Sequence, residues 1–167
     1  MKAIILAAGI GNRISSVHAA AKCLLEFDGT SLLERHILAL RKLGVTDINL
    51  CLGHEASAVL ERLQQKGLTD ISHEHNPLYN LGSIVSLWSM RDVLCDGTSD
   101  VLVMDADVLY HPEILSRLIH SPSKDCFLID RHYIDGDEPV KICIENEKIV
   151  EFRKKISPSL VYDRIGE

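Results

Sequence analysis

The apolar positions of the chain fall into short dense runs separated by helical stripes. Ala3-Ile4-Ile5-Leu6-Ala7-Ala8 is nearly unbroken, and a run of this kind reads as a strand buried on both faces. Val45 to Leu52, Ile71 to His75, Val101-Leu102-Val103-Met104 and Cys126 to Asp130 are predicted as four further strands. Between them the spacing turns helical. Ser31 and Glu34 form a possible capping box ahead of the stripe Leu33, Ile37, Leu40, which stops at Leu43-Gly44. Ala56 to Gln65 is a second helix, closed by Lys66-Gly67. Ser83 to Leu94 is a third, with Ile84, Leu87, Trp88 and Met90 to bury. Pro112 suits the first turn of a fourth, running to His120. Asp28-Gly29-Thr30 and Asp96-Gly97-Thr98-Ser99 are turns, and Val140 to Ile144 with Lys148 to Phe152 reads as a hairpin around Asn146. Strands that alternate with helices imply an α/β fold: a parallel sheet with helices on both faces. Ligands of such sheets bind beyond the carboxyl ends of the strands.

Two motifs sit at carboxyl ends. After the first strand come Gly9-Ile10-Gly11-Asn12-Arg13, and later Lys22. Glycines let the backbone turn sharply and bare its N–H groups, which suit phosphate oxygens. Arg13 and Lys22 add full positive charges. Together they read as a triphosphate cradle, against the plainer alternative of a tight turn with two solvated charges. The dinucleotide fingerprint is excluded because Ile14 stands where its third glycine is needed, and no Walker loop occurs. After the fourth strand come Asp105-Ala106-Asp107. Period-two geometry puts both carboxylates on one side of an extended segment. They are hard oxygen donors, able to hold Mg²⁺ while leaving positions for phosphate oxygens. The alternative is a solvated turn or a helix cap.

Asn76-Pro77-Leu78-Tyr79-Asn80-Leu81-Gly82-Ser83 leads into the third helix. Asn80 and Ser83 offer the donors and acceptors that a base and ribose need, and Gly82 permits close approach. An ordinary helix start, capped by Asn80 or Ser83, explains the segment equally well. Further on, Asp130, Tyr133, Glu138 and Lys141 lie in an acidic, aromatic loop ending in a lysine. Carboxylates and an aromatic ring can hold a cationic head group, and the lysine a phosphate. His73 and His75 lack a third metal ligand and read as a strand end; Trp88 reads as core.

Composition narrows the choice of partner. The 167 residues carry a net charge of −6, which argues against general nucleic-acid binding. No stretch reaches the length of a membrane helix, and the first residues lack a secretory pattern. Five cysteines without close pairing suggest neither disulfides nor zinc. These features favour the cytoplasm.

Leu6-Ala7-Ala8-Gly9-Ile10-Gly11-Asn12-Arg13, then Lys22-Cys23-Leu24-Leu25 and Gly29, resemble the opening of the nucleotidyltransferases that join a nucleoside triphosphate to a phosphorylated sugar or alcohol. Ala21 departs from the family, which usually has proline there. The resemblance implies a three-layer α/β/α Rossmann-like (GT-A-like) fold with a mostly parallel sheet. It implies that Leu6, Ala7, Ala8, Gly9, Gly11, Asn12, Arg13 and Lys22 bind the nucleotide, with Arg13 and Lys22 catalytic. It makes Asp107 the metal aspartate, and Asp105 a position that varies. The family's second metal carboxylate lies further towards the C-terminus. The chain is therefore expected to be a single domain, 1–167, incomplete at its C-terminal end. The stretch from Asn80 to Trp88 is similar to the phosphocholine-type cytidylyltransferases, which points to CTP with a phosphorylated alcohol or phosphonate. A sugar-1-phosphate nucleotidyltransferase, a metal-dependent glycosyltransferase and a non-catalytic nucleotide-binding module are the competing readings.

Overall fold

The computed structural model describes residues 1–10, 21–130, 132, 134, 136, 140–146, 148–156 and the backbone of 163–166. The chain divides into two compact units, Met1–Ile119 and His120–Glu167.

The first unit is built on a four-stranded sheet of β1 (Lys2–Ala7), β4 (Asp47–Leu52), β5 (Ser72–His75) and β6 (Val101–Asp105), in the order β5-β4-β1-β6. Every pairing in it is parallel. A small hairpin of β2 (Glu26–Phe27) and β3 (Thr30–Ser31) turns at Asp28 and Gly29, both with positive φ. The helices are α1 (Leu32–Lys42), α2 (Ala56–Gln65), α3 (Ser83–Ser89), α4 (Arg91–Leu94) and α5 (Pro112–Ile119).

Because side chains alternate across a strand, β1 feeds two cores. Ala3, Ile5 and Ala7 join the larger one with Leu33, Ile37 and Leu40 of α1, Val59 and Leu63 of α2, and Leu115 of α5. Ile4 and Ala8 join the smaller one with Cys51 and Met90, against which Leu87, Val93 and Leu94 pack. Helices thus cover both faces, as the alternation of strands and helices predicts.

Half of the predicted capping box forms. Ser31 Oγ accepts from the Glu34 N–H at 3.3 Å, but the Glu34 carboxylate turns to Arg62 of α2, whose Nε lies 2.6 Å away. The third predicted helix departs from expectation in two ways. It breaks at Met90, whose φ of −90° and ψ of 10° separate α3 from α4. Its buried line is Ser86 and Met90, while Ile84 is 71% and Trp88 67% exposed. Trp88 is therefore not core: it lies under the Arg91 guanidinium, 5.7 Å from the ring centre.

The second unit holds an antiparallel sheet of β7 (Lys141–Glu145), β8 (Lys148–Arg153) and β9 (Asp163–Gly166), in the order β8-β7-β9. The predicted hairpin is present, with Asn146 at φ 50°; β9 carries no advance signal in its sequence. The strand expected at Cys126–Asp130 does not form. Its apolar residues are largely exposed, with Phe127 stacked on Phe152. An apolar run becomes a strand only where a neighbour completes its ladder, and no described strand pairs with this one.

Candidate functional site

Three hydrogen bonds tie the ends of all four strands together at the carboxyl rim of the first unit. The Ala106 N–H donates to Leu6 O at 3.1 Å, the His54 N–H to Ala8 O at 3.2 Å, and the Asn76 N–H to Leu52 O at 2.8 Å. The register pairs Leu6 with Asp105, so the ends of β1 and β6 lie side by side. The segments following β1 and β6 therefore open onto one place.

A cleft lies there. Its floor is Leu6-Ala7-Ala8-Gly9, one side is Ala21-Lys22-Cys23, another is Asp105-Ala106-Asp107, and Tyr79, Gly82, Ser83 and Ser86 close it. Three motifs far apart in sequence thus converge. Gly11, Asn12 and Arg13 lie outside the described residues.

Lys22 opens a single 3₁₀ turn, Lys22–Leu24. The residue before it, Ala21, has φ −52° and ψ 134°, a conformation that proline also adopts. The alanine thus holds the geometry for which the resembled family uses proline. Lys22 Nζ lies 3.4 Å from Asp107 Oδ2, with the carboxylate 43% exposed. Next to it the Cys23 thiol is buried, and its pKa is pushed up to about 12 by that burial, with the Asp107 charge adding to the effect. Cys23 is a packing residue, not a nucleophile.

Asp105 and Asp107 form the acidic side. Crowding by the protein and the negative charge of Asp107 raise the Asp105 pKa. Tyr110 is raised too, by burial and then by both aspartates. Among the described residues no cluster of three or more His, Cys, Asp or Glu forms a ready-made metal cage. Two carboxylates at one rim are a donor set that suits a hard divalent cation, since Mg²⁺ takes one or two carboxylates and fills the rest of its shell with phosphate oxygens and water.

The fourth side of the cleft holds residues that motif reading undervalues. Gly82 has φ 111° and ψ 170°, a region nearly closed to other residues. Asn76, not Asn80, organises the segment. Asn76 is buried; its Oδ1 accepts from the Leu78 N–H at 2.9 Å and its Nδ2 donates to Ser86 Oγ at 3.1 Å. Asn80 is exposed and does not line the cleft, whereas Ser83 does. Gly53 is a further residue without an obvious signal. An added Cβ there would stand 2.6 Å from Tyr79 Cβ and 2.9 Å from Ala8 O. The absence of a side chain is what lets Tyr79 approach the first strand.

The candidate acceptor residues belong to the second unit. Asp130 accepts from the His132 N–H at 2.8 Å. Lys141 is 5% exposed; its ammonium donates to Gly136 O and, at 2.8 Å, to Lys154 O. It therefore ties a loop to the end of β8. Tyr133 and Glu138 lie outside the described residues.

A parallel α/β sheet with a basic group, two carboxylates and a glycine turn at one rim is an arrangement suited to a polyphosphate ligand. Residues 3–151 match the MobA-like NTP transferase domain, and the chain belongs to that family. It is 25% identical to the CTP:phosphoglutamine cytidylyltransferase of Campylobacter jejuni over 99% of this chain and 69% of that protein. It is 35% identical to the choline-phosphate cytidylyltransferase of Haemophilus influenzae over 72% of this chain and 50% of that one. Among solved structures, the inositol-1-phosphate CTP transferase of T. maritima superposes with a TM-score of 0.72, at 24% identity, over 99% of this chain and 68% of that one. No helix among the described residues is long and apolar enough to cross a membrane.

Proposed function

We propose that this chain carries the nucleotide-binding and catalytic rim of a cytidylyltransferase, which condenses CTP with a phosphorylated alcohol or phosphonate and releases pyrophosphate. The observation that carries the reading is the meeting of Lys22, Asp107 and the Gly82-Ser83 segment in one cleft. The cytidylyltransferase relatives support the choice of CTP.

In this reaction a phosphate or phosphonate oxygen of the acceptor attacks the α-phosphorus. A new bond forms between that oxygen and the α-phosphorus, the bond from the α-phosphorus to the α–β bridging oxygen breaks, and pyrophosphate leaves with that oxygen and the electron pair. No protein nucleophile takes part, so the chain contributes position and charge. Lys22 meets the triphosphate. Its ammonium has three donors, so it can keep Asp107 while engaging phosphate oxygens. The amides after β1, with Arg13, are assigned to the same phosphates. Asp107, helped by Asp105, would hold Mg²⁺, whose role when bound is to neutralise charge on the phosphate oxygens. Tyr79, Ser83 and the backbone around Gly82 are assigned to the base and ribose. Asp130, Tyr133, Glu138 and Lys141 remain candidates for the acceptor, with Lys141 acting by fixing its loop. We place the protein in the cytoplasm.

The test is pyrophosphate release with four triphosphates against a panel of phosphocholine, aminoalkyl phosphonates, inositol phosphate and sugar 1-phosphates. Turnover with CTP and a phosphorylated alcohol supports the proposal. Turnover only with a sugar 1-phosphate, or with another triphosphate, moves the protein to the sugar-nucleotide branch.

A further inference from the structure

Asn76 and Ser86 form a hydrogen-bond relay whose direction is fixed at its start. The Leu78 N–H can only donate, and it gives its proton to Asn76 Oδ1 at 2.9 Å. The other end of the Asn76 amide is therefore the NH₂ group, which also can only donate. It donates to Ser86 Oγ at 3.1 Å. Ser86 is thus the acceptor on that side, and its own O–H points elsewhere. Both residues are almost sealed from solvent, Asn76 at 2% and Ser86 at 4% exposed. Their backbones are pinned as well. The Asn76 N–H binds Leu52 O at 2.8 Å, and Ser86 O accepts from Cys51 Sγ at 3.3 Å and from Ser89 Oγ at 2.7 Å. A relay held this way cannot reverse without breaking the bond from Leu78.

The Ser86 proton needs an acceptor, since an unpaired buried donor is costly. A helical serine often turns to the carbonyl four residues back. Here that carbonyl is Gly82 O, which already accepts from the N–H groups of Val85 at 3.2 Å and of Ser86 at 3.3 Å. The Cys51 thiol spends its own proton on Ser86 O, and its sulfur is a weak acceptor. What remains is the cleft, which Ser86 lines beside Tyr79 and Gly82.

We propose that Ser86 is the residue that selects cytosine: its O–H, aimed by Asn76, donates to the ring nitrogen N3 of the base. This inference rests on the cytidylyl-transfer reading and names the group that sets its choice of base. In cytosine N3 carries a lone pair; in uracil it carries a hydrogen. The O2 carbonyl is common to both, so a donor at O2 would not tell them apart. A donor aimed at N3 pairs with cytosine and confronts a second donor in uracil, which leaves both unpaired in a closed site. Ser86 touches the base, and Asn76 is the positioning residue behind it.

The experiment titrates CTP, UTP, ATP, GTP and a CTP analogue with C–H in place of N3 into wild type, Ser86→Ala and Asn76→Asp by calorimetry, with Mg²⁺ and in alkaline buffer. Leaving a buried polar group unpaired costs about tenfold to a hundredfold in affinity. Wild type is expected to bind UTP and the analogue more weakly than CTP on that scale. Ser86→Ala is expected to weaken CTP by the same factor while UTP holds, and then to bind the analogue as it binds CTP. Asn76→Asp is expected to reverse the preference. Its carboxylate keeps the Leu78 N–H and, being ionised, can only accept. It takes the Ser86 proton, the Ser86 lone pair turns to the base, and UTP binds more tightly than CTP. Ser86→Ala that loses CTP and UTP affinity equally, or still separates CTP from the analogue, overturns the proposal. Asn76→Asp with the wild-type preference does so too. The wild-type comparison needs no variant: an analogue bound as tightly as CTP overturns the proposal even if the substituted proteins fail to fold. Wild type that prefers UTP, ATP or GTP to CTP overturns the cytidylyl-transfer reading itself, a result distinct from the others.

Discussion

Gly53→Ala is the sharpest structural perturbation of the cleft that removes none of the proposed ligand-binding side chains. Gly53 follows β4 directly. A Cβ built on it meets three atoms inside 3.0 Å: Tyr79 Cβ at 2.6 Å, Tyr79 Cγ at 2.8 Å and Ala8 O at 2.9 Å. Two of these are a backbone oxygen and a Cβ, neither of which can swing aside by a side-chain rotation. Either the Tyr79 turn or the chain at Gly53-His54 must move, and the second loosens the His54 N–H bond to Ala8 O. Forcing one extra carbon into packed surroundings costs about 1–3 kcal/mol. For a protein of this size each kcal/mol lowers Tm by about 2–4 °C. Because Tyr79 and Ala8 both line the cleft, nucleotide affinity is expected to fall with stability. Gly9→Ala is the control. No described atom lies within 4 Å of a Cβ there, so Tm is expected to hold while triphosphate binding weakens, since the added methyl occupies space at the rim. Thermal melts and CTP titration of both variants make the check. Gly53→Ala with unchanged Tm and unchanged affinity would refute the packing argument.

Three further outcomes are expected. Lys22→Ala removes a charge-assisted contact to the triphosphate worth about 1.5–3 kcal/mol, so CTP affinity should fall about ten- to a hundredfold. Its Tm should stay near wild type, because the Lys22–Asp107 pair is open to solvent. Glu34 is buried, and although burial opposes its charge, the bonds from Arg62 and Ser31 and the charges of Arg62 and Lys66 lower its pKa. A lowered carboxylate pKa contributes stability above the unfolded value that is lost as pH falls through the folded one. Arg62→Met should therefore cost about 1–3 kcal/mol at pH 7, with a penalty that shrinks in acid, read from urea melts at several pH values. Brief iodoacetamide treatment should label Cys95 and Cys126, which are exposed, and spare Cys23; mass spectrometry showing rapid labelling of Cys23 in the folded protein would contradict its assignment as a buried thiol.

β1 and β4, the inner strands of the sheet, were legible because they are buried on both faces, so that burial writes an apolar run directly into the chain. Lys22 and Asp107 were legible because strand ends of a parallel sheet share one rim, and two motifs at strand ends must face each other. The stretch after Tyr79 was less so. Ile84 and Trp88 look like an inward stripe at helical spacing, yet the buried line is Ser86 and Met90, because Asn76 anchors Ser86 and turns the helix about its axis. A hydrogen bond between two polar residues leaves no trace in hydrophobic periodicity. Gly53 escaped for a related reason: its backbone angles are ordinary, and only the approach of Tyr79, distant in sequence, demands the missing side chain. Cys126 to Asp130 has the composition of a strand without a neighbouring ladder to join. His36 reads as one polar residue among many on α1 until the fold buries it against the Tyr110 ring.

The most direct test of the account is calorimetric titration of the protein with CTP, UTP, ATP and GTP, each with saturating Mg²⁺, repeated in Lys22→Ala and Asp107→Asn. The account predicts that CTP binds most tightly, that Lys22→Ala weakens it with or without Mg²⁺, and that Asp107→Asn abolishes the gain in affinity that Mg²⁺ provides. Triphosphate affinity left unchanged by both substitutions would contradict the placement of the site in this cleft.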